Sequence, residues 1–174
     1  MSVETGMGRG DILMLDALIA SMDADAGPEL IVELGTSTGF TSLFLSLCAQ
    51  LRGVPFFSYD NNIGQLHPAV KKAWRHGTLH IEDVLEEGGI AQLNALLRTR
   101  RVFILLDNGN KAQEFAVYVP CVRVPCSVIA VHDWMTEFHP VHVQPSHGQH
   151  LEKLLWELSD NLHSSIRAWK MMRV

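Results

Sequence analysis

Two hydrophobic periods take turns along this chain. Leu13, Leu15, Leu18, Ile19 and Met22 recur at helical spacing and define one inward face, closed by Gly27-Pro28. Leu30-Ile31-Val32-Glu33-Leu34 then reads as a buried strand. It runs into the turn Gly35–Gly39 and a helix from Phe40 to about Leu51, with Leu43, Phe44 and Leu47 inward. The pattern recurs: strand Val54–Tyr59, helix Pro68–Arg75, strand Thr78–Ile81, helix Ile90–Leu97, strand Val102–Leu106, helix Ala112–Tyr118 and strand Val128–Val131. A helix over His150–Leu162 and a last strand over Ile166–Met172 complete the expected order.

Short apolar strands alternating with helices predict βαβ units: a doubly wound Rossmann-like α/β three-layer sandwich with a mostly parallel sheet. No repeat, low-complexity tract or Pro/Gly-rich linker divides the 174 residues, so a single domain over residues 1–174 is expected. Only about forty residues follow the fifth strand, which predicts a compact form with a reduced C-terminal part and one strand fewer. In such sheets ligands sit beyond the carboxyl ends of the strands. That rule selects Gly35, Asp60, Asp83, Asp107 and Asp133.

Composition narrows the partners. The formal net charge is −5, and basic residues are scattered apart from Arg98, Arg100 and Arg101, so no nucleic-acid face is expected. No window approaches the roughly eighteen apolar residues of a membrane span, and the start of the chain has no secretory pattern. The three cysteines, Cys48, Cys121 and Cys126, form no CxxC pair and suit a reducing compartment. A cytoplasmic globule acting on a small-molecule acceptor is the expectation, with homo-oligomerisation left open.

The most informative segment is Val32-Glu33-Leu34-Gly35-Thr36-Ser37-Thr38-Gly39-Phe40. A strand that ends in an acid and turns through two glycines into a helix brings backbone N–H groups close to a ligand. Its spacing is not the GxGxxG of NAD sites. It resembles the acid-x-Gly-x-x-x-Gly motif of class I S-adenosylmethionine-dependent methyltransferases. The resemblance implies S-adenosylmethionine held by Glu33, Gly35, Thr36, Ser37 and Gly39, with Glu33 near the ammonium. It also implies Asp60 on the ribose hydroxyls, matched to the two oxygens of one carboxylate, Asp83 near the adenine amino group, and Asp107 among the cofactor-binding residues. A generic strand-to-helix turn and ordinary turn acids are the plainer readings of the same residues.

Ile104-Leu105-Leu106-Asp107-Asn108 and Val131-His132-Asp133-Trp134 narrow the resemblance to the catechol O-methyltransferase-like branch. Its cephalosporin hydroxylase and rhamnosyl O-methyltransferase-like members are the more similar. There one acid after each of these strands holds a divalent ion, which implies Asp107 and Asp133 as ligands of Mg²⁺ or another divalent cation. The pattern departs from the family twice. Asp133 is followed by Trp134 where the catechol enzymes have Asn. The lysine expected three residues after Asp107 is replaced by Asn110, with Lys111 one place further.

Lys111, His132 and Asp133 are thus the candidate catalytic residues for transfer of a methyl group to an oxygen of a small hydroxylated or sugar-like acceptor. His132 is a base, a ligand or a buried core residue on this reading. The tract His139, His142, His147 and His150 reads as a solvated loop, with a zinc site as the alternative. Trp134, Phe138 and Trp156 form either a substrate wall or part of the core. Met7–Asp11 is a substrate-covering segment or a loose terminus. The rival for the whole chain is a degenerate cofactor-binding domain that serves a partner protein.

Overall fold

The computed structural model describes residues 9–24, 26–134, 140–142, 153–157 and 168–173. Five helices and seven strands follow in the order α1 (Arg9–Asp23), β1 (Leu30–Leu34), α2 (Phe40–Arg52), β2 (Phe56–Asp60), α3 (Pro68–Ala73), β3 (Thr78–Ile81), α4 (Glu87–Thr99), β4 (Val102–Leu106), α5 (Lys111–Tyr118), β5 (Val128–Trp134), β6 (Lys153–Glu157) and β7 (Ala168–Arg173). The strands form one sheet in the order β3-β2-β1-β4-β5-β7-β6. The first five are parallel, and β7 runs antiparallel to both β5 and β6.

All five residues of β1 and of β4 are buried, because helices cover both faces of a parallel sheet. Alternate residues of each strand serve two separate cores. Leu30, Val32, Leu34, Ile104, Leu106 and Ile129 pack with Leu93 and Leu97 of α4 and Phe115 and Tyr118 of α5. On the opposite face, Ile31, Phe103, Leu105 and Ala130 pack with Leu15, Ile19 and Met22 of α1 and Leu45 and Ala49 of α2. This is the expected three-layer sandwich.

Three expectations are corrected. The helix over His150–Leu162 is not formed at Lys153–Glu157, which are strand β6 paired with β7. Leu154-Leu155-Trp156 between two charged residues carries no period of its own, and the backbone of β7 decides the outcome. The C-terminal part is therefore not short of a strand. Second, Leu13 is 60% exposed, so α1 buries only Leu15, Leu18, Ile19 and Met22 of the expected face.

Third, α2 is rotated from its expected orientation. Leu47 is half exposed, whereas Ser42, Leu45, Ser46, Cys48 and Ala49 face inward. Two serines occupy the buried side because both have partners there: Ser42 donates to Glu33 of β1, and Ser46 Oγ donates to the His76 carbonyl at 2.6 Å. A buried polar partner outweighs an exposed leucine in setting the helix face.

Candidate active site

Chain order reverses between β1 and β4, which are sheet neighbours although β2 and β3 intervene in sequence. Such a switch point opens a crevice at the carboxyl ends of the two strands. The ladder continues one residue past β1, with Gly35 N–H donating to Tyr59 O and Asp107 N–H to Leu34 O, each at 2.8 Å. Gly35 has φ +99°, and a Cβ there would lie 2.6 Å from Asp107 O and 2.7 Å from Asn108 N. The loop after β1 and the loop after β4 therefore abut through bare backbone. Gly39 (φ +81°) serves packing instead, since a Cβ there would strike Leu66 and come 2.9 Å from Val70 Cγ1.

Asp60 at the end of β2 faces this loop. Its Oδ2 accepts from the N–H groups of Thr36 at 2.9 Å and Ser37 at 2.8 Å, and its Oδ1 accepts from Asn62 N–H at 2.8 Å. A carboxylate offers about four acceptor positions, so three are already used. Asp60 thereby pins the Thr36–Ser37 turn against the end of β2. The Ser37 backbone is left-handed at φ +47°, the conformation that aims its N–H at Asp60. Asp83, after β3, accepts from Leu85 N–H at 2.9 Å and so shapes the turn into α4.

Beneath the loop lies a polar network that sequence reasoning missed. Glu33 is fully buried, and its Oε2 accepts from Ser42 and, at 2.6 Å, from Ser58 Oγ; Thr36 Oγ1 lies 2.7 Å from Ser58 Oγ. Burial pushes the Glu33 carboxyl up to about 8, against the two serine hydroxyls that lower it; Asp107 and Asp60 raise it further. Its Oε1 has no hydrogen-bond partner among the described residues. The only local signal was a serine set in each of two apolar segments, Phe56-Phe57-Ser58-Tyr59 and Phe40–Leu51.

Across the switch point, Asp107 Oδ1 lies 2.8 Å from His132 Nδ1 and 3.8 Å from Lys111 Nζ. His132 is buried on β5 beside β4, and Lys111, at the start of α5, is only 4% exposed. With Asp107 accepting, the imidazole carries its proton on Nδ1, so Nε2 holds the basic lone pair. Glu114, one turn along α5 from Lys111, is fully buried and had not been singled out. Burial raises its carboxyl to about 8, while Lys111 and Asn108 pull it down. Its spacing of three from Lys111 was the available signal.

The structure thus brings Asp107, Lys111 and His132 together. Asp133 is the penultimate residue of β5, and its side chain lies outside the described residues, as do His139, His147, His150, Phe138 and Met7–Gly8. His142 sits in a single 3₁₀ turn, Pro140–His142. Among the described residues no group of three His, Cys, Asp or Glu side chains converges as a metal site. Of the two expected ligands of a divalent cation, Asp107 faces His132 and Lys111 through Oδ1, and the side chain of Asp133 lies outside the described residues.

The residues at this rim fit S-adenosylmethionine: Glu33 Oε1 is an orphaned buried acceptor suited to an ammonium, and the Asp60 carboxylate, which holds the Thr36–Ser37 turn, suits a ribose hydroxyl. No helix among the described residues is long and apolar enough to cross a membrane.

No family model and no curated protein sequence matches the chain. Solved structures do. A putative O-methyltransferase from Klebsiella pneumoniae is 13% identical with a TM-score of 0.64, covering 100% of this chain and 83% of that one. CalS11, a TDP-rhamnose 3'-O-methyltransferase of calicheamicin biosynthesis, is 14% identical with a TM-score of 0.65, over 94% of this chain and 78% of that one. The O-methyltransferase TomG from Streptomyces achromogenes, in complex with SAM, is 14% identical with a TM-score of 0.61, over 97% and 81%. A Mg-SAM structure of cmcI is 17% identical with a TM-score of 0.50; the match covers 68% of this chain, which spans about half, 51%, of that one. At such identities the likeness is one of architecture: this chain has the Rossmann-like fold that these O-methyltransferases share.

Proposed function

We propose that this protein is an S-adenosylmethionine-dependent methyltransferase that transfers the methyl group to a hydroxyl oxygen of a small or sugar-like acceptor. One observation carries the reading: the loop after β1 meets the loop after β4 through Gly35, directly beside the Asp107–His132 pair. The fold shared with TomG and CalS11 supports it. S-adenosylmethionine, when bound, supplies an electrophilic methyl group on a sulfonium.

The chain's own residues supply placement and a proton acceptor. Asp60, which holds the Thr36–Ser37 backbone, would accept the ribose hydroxyls, Glu33 Oε1 would take the ammonium, and Asp83 would stand at the adenine end. Asp107 accepts the Nδ1 proton of His132 and so presents Nε2 as general base to the acceptor hydroxyl, a role worth about 10²–10⁴-fold in rate. His132 Nε2 would take the hydroxyl proton of the acceptor when the bound cofactor supplies the methyl group. In-line placement of oxygen and carbon provides the rest. The free thiols of Cys48, Cys121 and Cys126 suit a cytoplasmic setting.

Isothermal titration with S-adenosylmethionine, followed by mass spectrometry of TDP-rhamnose and simple catechols incubated with protein and cofactor, tests this. Binding with a gain of one methyl group on an acceptor supports the proposal. Binding without transfer to any hydroxylated acceptor favours a cofactor-binding domain serving a partner, and no binding removes the reading.

A further inference from the structure

Resting on the methyltransferase reading, a second conclusion concerns how Glu33 is held for its ligand. Glu33 on β1, Thr36 in the turn after it, Ser42 on α2 and Ser58 on β2 are all buried and share one set of hydrogen bonds. Ser42 and Ser58 both donate to Glu33 Oε2, Ser58 at 2.6 Å, and Thr36 Oγ1 lies 2.7 Å from Ser58 Oγ. A hydroxyl has one proton to give. That of Ser58 goes to Glu33, so Ser58 accepts from Thr36, and the chain runs one way, from Thr36 through Ser58 to the acid. Thr36 is fixed again by its backbone, whose N–H donates to Asp60 Oδ2 at 2.9 Å and whose carbonyl accepts from Gly39 N–H at 2.8 Å. Ser58 therefore touches both the glycine turn and the acid beneath it.

We propose that Ser58 is a positioning residue for the amino-acid end of the cofactor: it holds the Glu33 carboxylate by Oε2, leaves Oε1 for the ammonium, and ties that acid to the turn through Thr36. Ser58 acts through Glu33 and touches no ligand atom. With both serine donors on Oε2, Oε1 is buried and has no hydrogen-bond partner among the described residues. A buried acceptor in that condition costs free energy until a donor meets it. Burial raises the Glu33 carboxyl to about 8, and the Ser42 and Ser58 hydroxyls pull it back. The charged groups acting on it, Asp107 after β4 and Asp60 at the end of β2, are acids and raise it further. Each serine hydroxyl thus favours the ionised form, which is the one that attracts an ammonium.

Two ligands separate the ends of the cofactor: S-adenosylhomocysteine carries the ammonium, and 5′-methylthioadenosine lacks it. In isothermal titration of the whole chain, Ser58→Ala should weaken S-adenosylhomocysteine about tenfold or more, the worth of one hydrogen bond to a charged group. It should leave 5′-methylthioadenosine at the parent affinity. In a Glu33→Gln background the same substitution should weaken S-adenosylhomocysteine no further, because the group it acts through has lost its charge. Parent affinity for S-adenosylhomocysteine should rise from about pH 6 to 8 as Glu33 ionises, and Ser58→Ala should move that rise to higher pH. Equal losses for the two ligands, unchanged affinity for both, or a further loss in the Glu33→Gln background each overturn the proposal. If Ser58→Ala does not fold, Ser58→Cys, which fills the site with a weak donor, carries the same comparison. A parent that binds neither ligand at any pH removes the methyltransferase reading and this inference with it. A parent that binds both, with a Ser58 variant that does not discriminate between them, removes this inference alone.

Discussion

The two sides of the switch point use their acids differently. On the β1–β2–β3 side, Asp60 and Asp83 accept from backbone N–H groups, and Glu33 accepts from serine hydroxyls. On the β4–β5 side, Asp107 is bonded to His132 and Lys111, both of which carry exchangeable or permanent charge. Carboxylates satisfied by backbone hold a loop in one shape. A carboxylate paired with an imidazole and an ammonium sets proton affinity and charge. The first side fixes a loop; the second joins a carboxylate to two ionisable side chains.

Removing the acid of the second side should show the largest effect. Asp107→Ala frees the His132 tautomer and strands the Lys111 ammonium, so methyl transfer should fall about 10²–10⁴-fold, with S-adenosylmethionine affinity little changed. A kcat and a titration on the same preparation check this; equal losses in both would erase the division between the two sides.

Gly35→Ala attacks the seam itself. The backbone at φ +99° costs an L-residue about 1–3 kcal/mol, and the new methyl meets Asp107 and Asn108 backbone at 2.6–2.7 Å. Denaturant unfolding should show that loss, and cofactor binding and turnover should fall together. Gly109→Ala, where a Cβ meets nothing within 4 Å, is the control that should leave both intact.

Asp60→Ala acts on the first side alone. Two loop N–H groups lose a charged acceptor, each bond worth about 1.5–3 kcal/mol. S-adenosylmethionine affinity should weaken by about ten- to a hundredfold, while kcat at saturating cofactor stays near the parent's. A lost kcat with unchanged affinity would transfer Asp60 to the chemical side.

Glu33→Gln is the mildest change and reads out in pH. The folded carboxyl titrates at about 8 and the unfolded one near 4.5, so the native state holds the extra proton between those values. Stability from this group is fully present below pH 4.5 and is lost as pH rises toward 8, by about 1.4 kcal/mol per pH unit. Glu114, also at about 8, adds a slope of the same sign. Gln can still accept from Ser42 and Ser58, so unfolding measured from pH 5 to 8 should be flatter in Glu33→Gln than in the parent. An unchanged slope would mean that Glu33 stays ionised in its network.

Much of this architecture is legible along the chain. Continuous apolar runs at Leu30–Leu34 and Val102–Leu106, each ending in a turn and then a helix, determine a parallel sheet covered on both faces, because such strands can be buried in no other way. The same runs place Gly35, Asp60, Asp83 and Asp107 at one rim. What tertiary structure decided are the pairings between segments distant in sequence. Lys153–Glu157 became a strand because β7 offered it a backbone edge. Helix α2 turned Leu47 outward because Ser42 and Ser46 found buried partners on β1 and beside α3. Asp107 met His132 only when β5 docked against β4. Local periodicity records where a residue stands relative to its chain neighbours; a buried hydrogen bond or ion pair depends on a partner that the fold alone brings within 3 or 4 Å.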